Sequence, residues 1–136
     1  MKHIKIFALI AALIFAVGAW ARTPGQKVGV TFSETSYDFG TVTTEADPVV
    51  HTFTITNNGS GAVAILSARA SCGCTEPSYQ RKPIMPGESA PVTLTFLPAG
   101  QRGEVDKNVT LRLKAANGKT EKVQLRITGT VVPPAR

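Results

Sequence analysis

Hydrophobic residues recur at every second position along most of this chain after residue 27. Near the C-terminus, for example, Val109, Leu111 and Leu113 alternate with polar residues. Such alternation is typical of half-buried antiparallel strands, which turn one face to the core and the other to water. The same pattern predicts about seven strands, at residues 28–33, 37–42, 49–56, 62–70, 91–97, 105–115 and 121–131.

Turn residues separate the predicted strands. Asn117-Gly118 predicts a hairpin between the last two strands, and the Asn-Asn-Gly-Ser-Gly segment at residues 57–61 predicts a second tight hairpin. Pro86-Gly87 suits the centre of a type II turn, because proline fixes φ and glycine tolerates a positive φ. Seven short strands in about 110 residues predict an all-β fold, an immunoglobulin-like antiparallel β-sandwich, with a small closed barrel as the alternative.

The first 21 residues have the layout of a cleavable secretory signal peptide. A basic start precedes the uncharged, mostly apolar run of residues 6–20, and Ala19 and Ala21 supply small residues at the cleavage point. The run is shorter than the about 20 residues of a membrane-spanning helix. We therefore expect an exported protein, periplasmic or extracellular. Its parts are a signal peptide at 1–21, a flexible lead-in at 22–27, one domain at 28–132 and a C-terminal tail at 133–136.

The excess of basic residues is mild. The full chain carries a net charge of +6, and its Lys and Arg residues occur singly or in pairs. A nucleic-acid-binding surface usually shows clustered cations, often with aromatic residues for stacking. We therefore expect no nucleic-acid partner. Because no second apolar run follows residue 21, we also expect no membrane association after signal cleavage.

Few residues outside the signal peptide point to catalysis. After residue 21 the chain contains one histidine, His51, which lies on a predicted strand. The carboxylates are spread through turns and strand ends. A nucleophile and base pair would need that histidine beside a Ser, Thr or Cys, with an acid to orient it. The sequence therefore predicts no enzyme and no cofactor, with His51 pointing to solvent or to a sheet rim.

Cys72 and Cys74 are the only cysteines, and Gly73 alone separates them. They lie at the start of residues 71–89, which lack alternation and are predicted to form one long functional loop. A disulfide here would close a three-residue ring, which stabilises a fold by only about 1.6 kcal/mol on chain-entropy grounds. Gly73 tolerates the unusual dihedral angles that so small a ring demands. The sequence therefore argues against a disulfide that stabilises the fold as a whole.

Four interpretations of the cysteine pair remain open. A disulfide could hold the start of the loop in one shape, with Pro86 and Gly87 as supporting residues. The pair could exchange electrons, because strained, exposed disulfides are reduced readily. Cys72 and Cys74 could bind copper(I) together with Met85, since thiolate and thioether ligands favour that ion. The thiols could also have no special chemistry.

Six short motifs follow one another from the second predicted strand to the last. In chain order they are Tyr37-Asp38-Phe39-Gly40-Thr41-Val42, Phe53-x-Ile55-x-Asn57-x-Gly59, Ser71-Cys72-Gly73-Cys74-Thr75-x-Pro77, Pro83-Ile84-x-Pro86-Gly87-Glu88, Val92-x-Leu94-x-Phe96 and Ile127-x-Gly129-x-Val131.

This series resembles the domain-of-unknown-function family 1573 of secreted bacterial proteins, over about residues 28–131. The resemblance implies an immunoglobulin-like fold, akin to the sandwich domains of major sperm protein and cilia-associated proteins, and no established activity. The chain departs from the family after Val42, where a glycine-bearing turn is replaced by Thr-Thr-Glu-Ala-Asp-Pro.

The leading hypothesis is an exported, non-enzymatic domain that binds a protein or another component of the cell envelope. Its contact surface would be the 71–89 loop or an unpaired edge strand that receives a partner strand. The alternatives are an envelope thiol-disulfide redox module that uses Cys72 and Cys74, and then a periplasmic copper(I)-binding protein.

Overall fold

The structure is a computed structural model that describes residues 28–135. The predicted signal peptide at 1–21 and the predicted lead-in at 22–27 lie outside the described residues, as does Arg136. The remainder of the predicted tail follows the last strand without regular secondary structure. None of the described residues forms a helix that is long and apolar enough to cross a membrane.

Eight strands form two four-stranded sheets that share one interior. They are β1 (Val30–Phe32), β2 (Ser36–Thr43), β3 (Val49–Asn57), β4 (Val63–Ala70), β5 (Thr75–Tyr79), β6 (Ser89–Phe96), β7 (Gly103–Ala115) and β8 (Thr120–Val132). Sheet A has the order β1-β3-β6-β5, and sheet B has the order β2-β8-β7-β4. The predicted all-β sandwich is therefore confirmed.

The core lies between the sheets and consists of two clusters. The central cluster takes inward-facing residues from both sheets, as the alternation predicts. Its fully buried members include Phe53, Ile55, Val92 and Leu94 from sheet A and Leu111, Leu113 and Leu125 from sheet B. The second cluster lies at one end of the sandwich and contains Cys74, Phe96, Val105, Ile127 and Val131.

One strand pair departs from the predicted antiparallel arrangement. β2 runs parallel to β8, with Ser36 beside Arg126 at one end and Thr43 beside Val132 at the other. The rest of the fold separates these two strands along the chain, so no tight turn dictates their relative direction. Period-two alternation is the same in both directions, and it therefore carries no signal for a parallel pair.

The prediction that residues 71–89 form one long loop is wrong. They contain β5, which pairs antiparallel with β6 from Thr75 beside Phe96 to Tyr79 beside Val92. Burial does alternate along β5, but its inward positions are occupied by Thr75, Pro77 and Tyr79. These residues do not form the apolar alternation that predicts a strand. Pro77 is tolerated because β5 is an edge strand, where a missing N–H need not break a ladder.

Two of the predicted turns are confirmed. Gly118 in the β7–β8 hairpin has φ of 85°, and Gly87 has φ of 80°. The Glu88 N–H donates to the Met85 carbonyl at 3.0 Å, which closes a type II turn around Pro86 and Gly87.

The hairpin predicted at residues 57–61 is wrong. β3 lies in sheet A and β4 lies in sheet B, so this segment connects the two sheets rather than two paired strands. Neither Gly59 nor Gly61 has a positive φ. Asn-Gly signals a tight turn, but the sequence does not say whether the strands on either side belong to one sheet.

Candidate functional site

The two cysteines lie at a corner where the chain passes from sheet B to sheet A. Residues 71–74 connect the end of β4 to the start of β5, and both are edge strands. The Ser71 N–H donates to the Asn108 carbonyl in β7 at 2.8 Å, and the Leu97 N–H donates to the Cys74 carbonyl at 2.8 Å. We call residues 71–74 the cysteine corner. It bridges one side of the sandwich and is anchored in both sheets.

Cys72 and Cys74 form a disulfide within this corner. Cys74 is buried in the second cluster, and the half-buried Cys72 packs against the same cluster. The Cys74 N–H donates to Cys72 Sγ at 3.0 Å. Gly73 is exposed and does not have a positive φ, so the ring forms without the left-handed conformation that glycine permits. This arrangement favours the interpretation in which the bond shapes the chain locally.

The second cluster gathers residues from four of the six motifs. Phe39 of β2 stacks on Phe96 of β6, with ring centroids 5.1 Å apart. The strand bulges at Phe39 and Gly40, which together face Gly129 of β8. Gly40 has φ of 74°, and its N–H donates to Asp38 Oδ1 at 2.8 Å. The motifs therefore meet in space because they build the end of the core on which the cysteine corner rests.

Asn57 ties together two loops at the opposite end of the sandwich. Its side chain is fully buried. Asn57 Nδ2 donates to the carbonyls of Gly61 and Ile84 at 2.8 and 2.9 Å, and Oδ1 accepts from the Gly59 N–H at 2.9 Å. The Gly87 N–H donates to the Asn57 carbonyl at 2.8 Å. In the sequence, Asn57 continues the inward positions of Phe53 and Ile55, which indicates a buried polar side chain. The predicted hairpin placed Asn57 in an exposed turn instead.

The predicted 71–89 loop therefore consists of two separate structures with β5 between them. The cysteine corner lies at its start and the Pro86-Gly87 turn lies at its end. Pro86 and Gly87 support the region around Asn57. The prediction that Pro86 and Gly87 support the loop segment of Cys72 and Cys74 is therefore wrong.

Met85 lies far from both cysteines. Its neighbour Ile84 exchanges backbone hydrogen bonds with Val63, at the start of β4, whereas Cys72 follows the end of that strand. Seven residue steps along a strand span about 23 Å. The candidate copper ligands therefore do not come together. Within residues 28–135, no group of three or more His, Cys, Asp and Glu side chains is placed to hold a metal ion.

Within residues 28–135, part of β3 has no neighbouring strand on one side. β1 pairs with residues 55–57 only, and the Ser33 N–H then donates to the Thr54 carbonyl at 2.9 Å. Backbone groups of alternate residues point the same way across a strand. Val50 and Thr52 therefore direct their N–H and C=O groups to the same side as Thr54. Among the described residues no strand pairs with this side, and we call residues 49–53 the uncovered edge.

The difference in strand length that accompanies the uncovered edge is already present among the predicted strands. The first predicted strand, residues 28–33, is shorter than the third, residues 49–56. A shorter strand leaves part of a longer neighbour unpaired. The structure enlarges this difference, because β1 has 3 residues and β3 has 9.

His51 closes the gap between the sheets behind the uncovered edge. Its ring stacks on Tyr37 of β2, with centroids 3.6 Å apart, and meets Phe53 edge-on at 4.8 Å. His51 Nε2 forms a hydrogen bond with Glu34 Oε1. The half-buried ring therefore lies at the sheet rim, packed between two aromatic rings.

Sheet B carries an exposed ion pair on its outer face. Arg126 donates two hydrogen bonds to the Asp106 carboxylate, at 2.7 and 2.6 Å. The hydrogen bond from Arg126 lowers the pKa of Asp106, and the same bond raises the pKa of Arg126. Because both side chains are more than half exposed, the pair contributes little to stability.

Solved structures that share this fold include the following three. The match to the ASH/PapD-like domain 7 of human CEP192 has a TM-score of 0.63 and 16% identity, and it covers 79% of this chain and 88% of that one. The match to the Vibrio cholerae VesB protease has a TM-score of 0.63 and 18% identity, and it covers 75% of this chain but 32% of the protease. The match to the periplasmic chaperone SfaE has a TM-score of 0.58 and 12% identity, and it covers 78% and 61%.

These identities establish a shared fold and nothing further. The chain spans about a third of the length of the protease, so the activity of that enzyme is not carried over. A comparison with curated proteins finds no match. The family model described as "Protein of unknown function (DUF1573)" matches residues 30–131, all eight strands except the last residue of β8. The resemblance read from the six motifs is therefore confirmed, and the chain belongs to the DUF1573 family.

Proposed function

We propose that this protein is an exported, non-catalytic interaction domain that receives an extended segment of a partner protein on the uncovered edge of β3. One observation carries the proposal. Val50 and Thr52 point four backbone hydrogen-bonding groups away from β6, toward a side where the described chain places no strand. An extended segment that pairs with such an edge gains main-chain hydrogen bonds, as in other strand-addition complexes.

The strand residues of the uncovered edge carry few of the devices that usually guard an edge strand, although the Glu34 carboxylate contacts His51. Natural sheets protect such edges with lysines, prolines, bulges or covering loops. Residues 49–53 read Val-Val-His-Thr-Phe and contain neither a lysine nor a proline. The Val50 side chain is 59% exposed, and β3 and β6 pair here without a register shift. A regular, β-branched, unguarded edge is a ready template for another strand.

The side chains beside the edge indicate what the partner segment should contain. On the outer face of sheet A, Thr52 lies beside Thr93, with 3.0 Å between the two hydroxyl oxygens. On the inner face, an added strand would lie next to His51 and the Tyr37 ring. Side chains of an added strand alternate between the two faces. We therefore propose a segment that alternates uncharged polar residues with apolar or aromatic ones.

Two further features support this proposal. The apolar N-terminal run with small residues at its end supports export. Similarity of fold to a periplasmic chaperone and to an ASH/PapD-like domain agrees with an interaction domain, at the level of architecture.

A thiol-disulfide exchange function is the second candidate. The observation in its favour is that Cys72 is half-buried while Cys74 is buried, so Cys72 is the more accessible residue of the pair. A partner thiolate would attack Cys72 Sγ to form a mixed disulfide, and Cys74 would leave as a thiolate. The packing of both cysteines against the second cluster opposes this step, because Cys74 must then carry a charge in an apolar site. Copper(I) binding has less support, since Met85 is remote.

Site-specific photo-crosslinking in producing cells tests the leading proposal. With p-benzoylphenylalanine at position 50, we expect a crosslinked partner. Thr52→Pro should abolish the crosslink, because proline removes an N–H that points away from β6 and so leaves the ladder to β6 intact. Thr52→Val is the matched control, since it keeps the N–H and loses only the hydroxyl.

The position of the crosslink on the partner decides the outcome. When the crosslinking residue is placed at position 50 in one variant and at position 52 in another, the two adducts should lie two residues apart on one partner segment. This spacing is expected because residues of paired strands lie opposite one another in register. Adducts that are scattered over the partner, or that survive Thr52→Pro, would contradict strand addition.

A further inference from the structure

Basic residues that are scattered along the sequence gather on the outer face of sheet B. Arg112 of β7 faces Lys122 of β8, and Lys114 of β7 lies one outward row farther along. Arg69 of β4 lies one outward row in the other direction, beside Thr110. All four basic side chains are exposed. We call Arg69, Arg112, Lys114 and Lys122 the cationic patch.

The cationic patch is uncompensated. Arg112 and Lys122 occupy directly opposite positions on adjacent strands, where like charges are destabilising. Among the described residues, a carboxylate contacts a basic side chain in two places, Glu34 at His51 and Asp106 at Arg126, so no patch member has a carboxylate partner. The fold gains nothing from this arrangement. A position that breaks a rule of stability without compensation is where a function is expected.

Acidic residues lie away from the cationic patch. On the outer face of sheet B, the carboxylates of Glu104, Asp106 and Asp38 lie in the rows at the far end. Glu121 is adjacent to Lys122 in sequence but pairs with the buried Leu113, on the inward side of β8. One half of the face is therefore positive, whereas the other half carries Glu104 and Asp38 together with the paired Asp106 and Arg126.

An exposed leucine borders the cationic patch. Leu66 is the residue that the bulge in β4 adds between Ile65 and Ser67, and it is 47% exposed. Ile65 is buried and Ala68 packs against the core, so Leu66 is left on the solvent side. A bulge re-aims a side chain, and here it places an apolar group next to Ser67, whose partner on β7 is Arg112.

We propose that the cationic patch and Leu66 dock the protein on an anionic phospholipid surface. A bilayer surface is flat, negatively charged and apolar beneath its headgroups, and each of these properties has a counterpart on this half of sheet B. Cations on a rigid sheet face reach the headgroups together, and Leu66 inserts beside them. This proposal differs from the expectation of no membrane association. That expectation came from the linear sequence, in which the clustering of the four basic residues on sheet B cannot be recognised. The proposal is independent of the proposed function, which uses the edge of the opposite sheet.

Vesicle co-sedimentation of the predicted mature chain tests the proposal, since all eight strands lie within it. We expect binding to vesicles of phosphatidylcholine mixed with phosphatidylglycerol and no binding to phosphatidylcholine alone. Binding should weaken steeply between 0.1 and 1 M salt, as the Debye length falls from about 10 to about 3 Å. The double variant R112Q/K122Q should bind about thirtyfold more weakly, at about fivefold for each basic residue near the surface.

Matched variants distinguish binding through the cationic patch from binding through the net charge of the protein. R102Q/K107Q removes the same charge from residues outside the cationic patch and should bind within about twofold of the wild type. Leu66→Ser keeps every charge and should weaken vesicle binding several-fold. R112Q/K122Q should unfold at the same temperature as the wild type or higher, because it relieves the facing like charges.

The proposal is overturned if mixed vesicles do not bind, or if R102Q/K107Q weakens binding as much as R112Q/K122Q. Equal affinity for a soluble acidic polypeptide, together with no effect of Leu66→Ser, would also overturn it and would identify an acidic protein as the partner.

Discussion

The ring of Phe39 occupies the space that a side chain at position 129 would need. A Cβ on Gly129 would overlap three atoms of that ring, whereas Gly129 itself leaves the ring free to stack on Phe96. The Phe39 bulge of β2 and the Gly129 position of β8 are therefore one structural device. It closes the end of the core that carries the disulfide.

Gly129→Ala should lower the free energy of unfolding by about 2–3 kcal/mol, because overpacking displaces the Phe39 ring. Gly73→Ala is the matched control. Gly73 has open space around it and no positive φ, so the change should stay within about 0.5 kcal/mol. Urea denaturation measures both variants. Equal stability of the two would refute the close packing of Phe39 on Gly129.

Replacing both cysteines should cost little. Cys72→Ala with Cys74→Ala should lower the free energy of unfolding by about 1–2 kcal/mol, because a three-residue ring constrains the unfolded chain only slightly. Alkylation with mass spectrometry should label both thiols of the wild type only after reduction and denaturation. A loss above about 4 kcal/mol, typical of bridges between distant strands, would show that the bond holds the fold as a whole.

Asn57→Ala should lower the free energy of unfolding by about 3 kcal/mol. The change leaves two carbonyls and the Gly59 N–H without their partner in a buried site. Asn58→Ala is the control at an exposed neighbour, which contacts Thr31 Oγ1, and it should cost less than about 1 kcal/mol. If Asn57→Ala proves no worse than Asn58→Ala, the loops at this end do not depend on Asn57.

The Asp106–Arg126 pair predicts a pH dependence of known sign. The hydrogen bond from Arg126 lowers the pKa of Asp106 below its ordinary value of 3.8. Stability from the pair is therefore present above pH 3.8 and is lost as the pH falls through the lowered pKa of the folded protein. Asp106→Asn should remove this small contribution at neutral pH and match the wild type in strong acid.

Arg126→Gln should reproduce that behaviour, because it removes the same pair from the other side. Denaturant midpoints measured across the acid range test both variants. A difference from the wild type that persists unchanged into strong acid would show that the charge pair is not its cause.

Alternation revealed seven strands because their inward residues are apolar. It missed β5, whose inward residues are Thr75, Pro77 and Tyr79. It also could not give the direction of β2, since a period of two is the same whether a neighbour runs parallel or antiparallel. The pattern of side-chain polarity therefore predicts which residues form strands. The direction of a strand depends on which sheet the segment joins.

The sequence indicated which cysteines can pair, because that relationship is local, but it could not indicate groupings of side chains that depend on the fold. The cysteine pair was recognisable from spacing alone. The grouping of Met85 with Cys72 and Cys74 assumed that one loop holds all three, and β5 separates them. The cationic patch joins residues distant in sequence, so it emerges only once strand order and register are known. The predicted strands differ in length as the uncovered edge requires, but only the strand order shows that β1 and β3 are neighbours.

Strand addition on β3 is tested most directly by amide hydrogen exchange. Once crosslinking identifies the partner segment, it can be synthesised as a peptide and added to the protein. We predict that the amides of Val50 and Thr52 exchange rapidly in the free protein and become protected when the peptide binds. The amides of His51 and Phe53, which bond to β6, should be protected in both states. Unchanged exchange at Val50 and Thr52 in the saturated complex would contradict the account.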